Sequence, residues 1–175
     1  MPKIIEGARE RILANARRRL FENGYQHLSL REVAKESEIA TGTIYNYFAN
    51  KDYLIANVML QDWENVFRKM MESAKTASSV KEGIFGISGA IREFADIYAN
   101  IWKQPSVAAA ATPDRKHRQE FLTDQLSIII DFLLQEKGYG EKREFDALII
   151  ELILASAGNE EVKEQFGMLL DQLYP

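Results

Sequence analysis

Apolar residues recur at intervals of three and four along most of the chain, the spacing of one face of a helix. Ile5, Ala8, Ile12, Ala16 and Leu20 form a first stripe, which Gly24 is expected to end. Ser29 and Glu32 then have the S-x-x-E spacing of a capping box, in which each side chain satisfies a backbone N–H at a helix start. Leu28 and Val33 stand where a hydrophobic staple would clamp that start. Ser37 and Glu38 interrupt the pattern, and a short helix is expected over 40–47. Asn50 is placed to cap a long fourth helix carrying Leu54, Val58, Trp63, Val66, Phe67 and Met70.

After a polar break at 76–79, further helices are expected near 80–103, 105–111, 113–137, 142–157 and 159–173. Thr112-Pro113 suits a helix start, while Gly138, Gly140 and Gly158-Asn159 suit turns. No stretch alternates long enough to predict a strand. The pattern predicts an all-α protein of about nine helices. A three-helix head over 1–50 would precede a helical body over 51–175.

Composition narrows this little. Hydrophobic residues make up 46% of 175 positions, enough for a packed core. No uncharged run approaches the roughly 18 residues of a membrane span, so no membrane partner is expected. The first residues lack the apolar stretch of a secretory signal, and a cytoplasmic protein is expected. With no cysteine and two histidines, neither a disulfide framework, a metal site nor a cofactor is expected.

Charge changes the picture only when the chain is divided. The net charge is −4, which by itself argues against nucleic acid. Residues 1–52, however, hold nine bases against seven acids, and 53–175 hold 13 against 19. A basic head on an acidic body is the asymmetry a nucleic-acid-binding protein shows, although an excess of two charges is slight.

The stretch from Leu28 to Lys51 carries the chemistry. Two short helices separated by a three-residue break and braced by a preceding helix follow the plan of a helix-turn-helix. Ile39, Ile44 and Phe48 can anchor the second helix. Its remaining face offers Thr41, Gly42, Thr43, Tyr45, Asn46 and Tyr47, small residues and hydrogen-bonding groups suited to a major groove.

Residues 9–55, "RERILANARRRLFENGYQHLSLREVAKESEIATGTIYNYFANKDYLI", resemble the tetracycline-repressor (TetR) family of bacterial transcriptional regulators. The phrase from Gly42 to Phe48, trailed by Lys51, carries most of that likeness. The resemblance implies a two-fold dimer whose first three helices bind an operator on double-stranded DNA and whose variable remainder dimerises and often holds a small effector. Thr43, Tyr47 and Lys51 would then contact phosphates, and Thr41, Gly42, Tyr45 and Asn46 would face the groove. Ser29 would cap its helix and touch the DNA backbone, while Phe48, Ile44, Val33, Ala34, Leu20 and Phe21 would be structural.

Two positions depart from the family pattern. Glu38 stands where glycine usually makes the turn; a left-handed conformation there costs a non-glycine residue about 1 kcal/mol. Ala40 stands where serine usually caps the recognition helix, a loss of about 1 kcal/mol. Both bear on the strength of the DNA grip.

In the body, the family places its dimer interface in the last two helices. Here Leu148, Leu152, Ile153, Val162, Phe166, Leu169, Leu170 and Leu173 supply dense apolar stripes for an isologous contact, with an intramolecular core as the other reading. Trp63, Phe67, Met70, Phe85, Phe94, Tyr98, Trp102 and Phe121 lie on helices that enclose the family's effector pocket. They are the candidate lining for an apolar or aromatic effector, and the same spacing also serves a plain core.

With two histidines, no cysteine, no phosphate-cradling glycine motif and no HExxH pair, no catalytic residue is assigned and an enzyme is not expected. The reading that competes with a DNA-binding regulator is a helical interaction protein of the same fold without sequence-specific DNA binding.

Overall fold

In the computed structural model the described residues are 6–101, 103–107, 115–140 and 146–175, with side chains described throughout except at 115–119 and 146. Trp102, the Thr112-Pro113 helix start and the 108–111 end of one expected helix lie outside them. The described residues are all-α and contain no strand. Their helices are α1 (Ala8–His27), α2 (Leu30–Glu36), α3 (Thr41–Ile44), α4 (Lys51–Thr76), α5 (Val80–Tyr98), α6 (Arg115–Glu136), α7 (Asp146–Gly158) and α8 (Glu160–Leu173). A further helical turn at 105–107 brings them to the number expected.

Two compact units emerge. The first comprises the described residues of Met1–Asp62 and Asn100–Pro113, the second those of Trp63–Ala99 and Asp114–Pro175. The first boundary falls inside α4 rather than at residue 50. The physical reason is burial: Leu54, Ile55 and Val58, in the first part of α4, are fully buried and belong to the head's core.

In the head, the α1 stripe of Ile12, Leu13, Ala16 and Leu20 is buried as the spacing predicts. Gly24 leaves helical geometry at φ 79°, but the helix resumes beyond this kink and runs on to His27. The Ser29 hydroxyl accepts the Glu32 backbone N–H at 3.3 Å. The Glu32 carboxylate accepts the Ser29 hydroxyl at 2.9 Å in place of the Ser29 backbone N–H that a full capping box would engage. Leu28 and Val33 are both buried, as a staple at this start requires. Asn50 caps α4 by accepting the Tyr53 backbone N–H at 2.8 Å.

The second unit is a bundle in which α5 packs against α6, α7 and α8. Ser79 caps α5 and Asn159 caps α8, each accepting backbone N–H groups of the first turn. Close approach is purchased with small residues. A Cβ on Gly83 would meet Leu133 side-chain carbons at 2.6 Å, and one on Gly167 would meet the Phe85 ring at 3.1 Å. The buried hydroxyls of Ser88 and Ser156 satisfy each other at 2.9 Å.

Packing sorts the apolar stripes of the last two helices. Ile153, Phe166 and Leu170 are buried within this chain and fill its own core, so their side chains have no area left for a partner. Leu148 is 50% exposed, while Leu152, Val162, Leu169 and Leu173 are half-buried. Leu154 and the 64%-exposed Met168 join this outward set, although the sequence reading passed over them.

The aromatic set of the body is sorted too. Trp63, Met70, Phe94 and Tyr98 are buried. The Trp63 ring meets Phe94 edge-on at 5.3 Å, and Phe94 meets Tyr98 at 4.9 Å. Phe67 and Phe85 are half-buried, and Phe121 stands 43% exposed, outside this core. The Trp63 indole N–H is buried with no hydrogen-bond partner among the described residues.

Candidate DNA-binding surface

The helix-turn-helix is built from a reversal at Glu38. Its φ of 56° makes it the one non-glycine residue in the left-handed region among the described residues. The backbone there closes on α2 through the Ile39 N–H, which donates to the Ala34 carbonyl at 3.0 Å. This is the conformation at which a glycine would be unstrained.

Ala40 occupies the N-cap of α3 and provides no side-chain hydrogen bond. The regular helix is shorter than the expected 40–47, spanning Thr41–Ile44. Beyond it the chain tightens into turns in which Asn46 N–H donates to the Thr43 carbonyl and Tyr47 N–H to the Ile44 carbonyl, each at 3.0 Å. Such i-to-i+3 bonds satisfy the end of a short helix.

This short segment is held from below and open above. Ile39, Ile44 and Phe48 are buried, as their spacing predicts. Thr41, Gly42, Tyr45 and Asn46 are exposed; Thr43 and Tyr47 are half-buried. A Cβ on Gly42 would meet nothing within 4 Å, and its φ does not lie in the glycine-favouring region. Among the described residues, nothing requires glycine at that position.

Lys51 follows at the first residue of α4 and is fastened by Tyr25. Its ammonium donates to the Tyr25 carbonyl at 3.0 Å and sits 4.0 Å from the centroid of the Tyr25 ring. The Tyr25 hydroxyl donates to an Asp52 carboxylate oxygen at 2.5 Å and lies 3.5 Å from the Ser106 hydroxyl. Burial, followed by the hydrogen bond to Asp52, pushes the Tyr25 hydroxyl above its ordinary value and keeps it a donor. Tyr25 is absent from the sequence-predicted site. The available signal was its place immediately after Gly24, where α1 kinks.

The head's cations divide into two groups. Arg17 bonds both carboxylate oxygens of Asp62 at 2.8 Å. Arg18 bonds Glu22 at 3.1 Å and Glu36 at 2.8 Å, and Arg19 bonds Glu32 at 2.9 Å. Among the described residues, Arg9, Arg11, Arg31, Lys35 and Lys51 have no carboxylate within ion-pair distance. Arg9 and Arg11 instead donate to the Asn57 amide oxygen and the Glu6 carbonyl. The run Arg17-Arg18-Arg19, the densest basic stretch of the head, is thus neutralised internally.

Of the sequence-predicted DNA contacts, the fold brings Thr41, Gly42, Thr43, Tyr45, Asn46 and Tyr47 into one short segment, with Lys51 just beyond it. Ser29 is half-buried and engaged as the α2 cap.

Comparisons with known proteins agree with this geometry. Residues 12–58 match the family described as bacterial regulatory proteins, tetR family. Over 125 residues the chain is 30% identical to the HTH-type transcriptional regulator UidR of Escherichia coli. That match covers 67% of this chain but only 64% of UidR's length. Among solved structures, Salmonella enterica GusR superposes with a TM-score of 0.55 at 22% identity, covering 98% of each chain. A TetR/AcrR-family regulator of Thermobifida fusca superposes with a TM-score of 0.56 at 18% identity, covering 93% of this chain and 95% of that one. At such identities these two structures speak for the fold. With the head's motif, the whole-chain fold and the sequence match in accord, the chain belongs to the tetR family of bacterial regulatory proteins.

Proposed function

We propose that the protein is a transcriptional regulator, in the common mode of its family a repressor, that binds a palindromic operator as a homodimer. The observation that carries this reading is the α3 segment, anchored by Ile44 and Phe48 beneath and open around Gly42 above. Its hydroxyls and amide can read base edges and phosphates, and Lys51 adds a charge at the next helix start. The head over 1–50 and the first part of α4 would be the DNA-binding domain, and the remainder the dimerisation and effector-binding body. UidR is itself described as a transcriptional regulator. The competing reading, an interaction protein without sequence-specific DNA binding, is not favoured. The motif on which DNA binding depends is assembled despite the strained Glu38 and the missing cap at Ala40.

Dimerisation would use the outward residues of α7 and α8. Leu148, Leu152, Val162, Leu169 and Leu173, together with Leu154 and Met168, form the apolar set for a two-fold contact. Two heads would then meet successive major grooves, about 34 Å apart or a multiple of that.

The effector we propose is a small apolar or aromatic molecule bearing an acceptor atom for Trp63. An unsatisfied buried donor costs about 1–3 kcal/mol, and the Trp63 indole N–H is such a donor. Effector binding would favour body conformations whose heads no longer match the groove spacing. Equal operator affinity with and without a bound effector would count against this mechanism. No catalytic step is assigned to any residue, and such a regulator works in the cytoplasm.

The experiment that tests the DNA-binding reading is selection from random duplexes by the purified protein at near-physiological salt. A dyad-symmetric consensus is expected, and it should be lost in Tyr47→Ala and Lys51→Ala. A folded, dimeric protein that selects no consensus would refute the reading.

A further inference from the structure

Arg9 lies outside the recognition motif, at the second residue of α1, yet it is tied to the junction between α3 and α4. Its guanidinium donates to the Asn57 amide oxygen at 2.8 Å and lies 5.7 Å from the centroid of the Phe48 ring. Asn57 in turn donates its amide N–H to the Tyr53 carbonyl at 2.8 Å, in the first turn of α4. Phe48 directly follows Tyr47, and Tyr53 stands two residues beyond Lys51. Two neutral partners therefore hold the Arg9 guanidinium beside the segment that carries both Tyr47 and Lys51.

Charge distinguishes Arg9 from Arg17, Arg18 and Arg19 of the same helix. Arg17, Arg18 and Arg19 have carboxylate partners, whereas the Arg9 charge faces an amide oxygen and an aromatic ring. The side chain is exposed. An ordered, exposed and uncompensated guanidinium is suited to a phosphate oxygen. It retains donors beyond the one given to Asn57, and little side-chain freedom remains to be lost on binding. Arg31 and Lys35 are also uncompensated, but no hydrogen-bond partner orders them among the described residues. Arg11 is held by the Glu6 carbonyl, away from the α3–α4 junction's contacts.

We infer that Arg9 is a phosphate-binding residue of the DNA interface, oriented by Asn57 and Phe48, and that the Arg17-Arg18-Arg19 run makes no such contact. The inference rests on the DNA-binding reading and adds to it a residue on α1. Arg9 would contribute affinity and register without sequence preference.

The test is a salt titration of duplex binding by wild type, Arg9→Gln, Arg9→Lys and Arg18→Gln. Each is measured on the selected operator and on a random duplex of equal length. Thermal melting confirms that each variant is folded. Arg9→Gln should reduce the slope of log affinity against log salt by about 0.9 per half-site. It should weaken binding by the same factor on both duplexes. Arg9→Lys should restore the slope, and Arg18→Gln should leave it at the wild-type value. A wild-type slope in Arg9→Gln would overturn the inference. So would equal slope losses in the Arg9 and Arg18 variants, which would reduce the effect to net charge. Failure of the wild type to bind either duplex would instead remove the DNA-binding reading and this inference with it.

Discussion

Gly42 in the head and Gly83 in the body are both helical glycines, yet their surroundings are opposite. Around Gly83 the Leu133 side chain leaves no room for a Cβ, and both residues are buried. Around Gly42 there is open space. A glycine inside a helix is unfavourable by up to about 1 kcal/mol relative to alanine. In the body that cost is offset by close packing within the chain. In the head no described residue offsets it, and the space a side chain would fill stays open to a partner from outside. The positive-φ positions show a second contrast. The chain leaving α6 places Gly138 and Gly140 at φ 81° and 63°, whereas the head's turn places Glu38 at 56°. The body's turn uses the residue suited to its geometry, while the head keeps a strained carboxylate near the proposed DNA surface.

The sharpest challenge on the body's side is Gly83→Ala. Leu133 is fully buried and cannot swing outward, so overpacking should cost about 1–3 kcal/mol, partly offset by helix propensity. Denaturant unfolding reads this directly. A variant as stable as the wild type would mean that Leu133 repacks freely and would remove the contrast with Gly42.

A smaller effect is expected at the turn. Glu38→Gly should relieve the left-handed strain and stabilise the protein by about 1 kcal/mol. It should also tighten DNA binding by removing a carboxylate from the neighbourhood of phosphates. Thermal melting and a duplex titration check the two halves separately. Lower stability would indicate that Glu38 makes compensating contacts.

Much of the head was legible from local pattern because its determinants are local. The Ser29 and Asn50 caps, the Leu28–Val33 staple, and Ile44 and Phe48 as anchors all follow from spacing within a few residues. The left-handed turn at Glu38 falls where the family pattern carries glycine. The extent of α3 was not legible. An uncapped four-residue helix closing in i-to-i+3 turns depends on how Ile44 and Phe48 seat against the rest of the head. Charge pairing was even less accessible, since Arg17 finds Asp62 from 45 positions away. A count of bases in the head therefore overstates what is available to DNA. The same limit applies to the last two helices. Periodicity assigned Ile153 and Phe166 to the same stripes as Leu148 and Val162, but only packing separates those turned inward from those left for a partner.

The central claim is that the α3 face works outward, on DNA, and the substitution Gly42→Gln tests it most directly. Its side chain enters open space, favours helix and adds no charge. We predict a melting temperature equal to or above that of the wild type. Affinity for the selected operator should fall by at least about tenfold, a change of about 1.4 kcal/mol, because the added bulk holds the segment off the groove. Operator affinity unchanged in a fully folded variant would contradict the account.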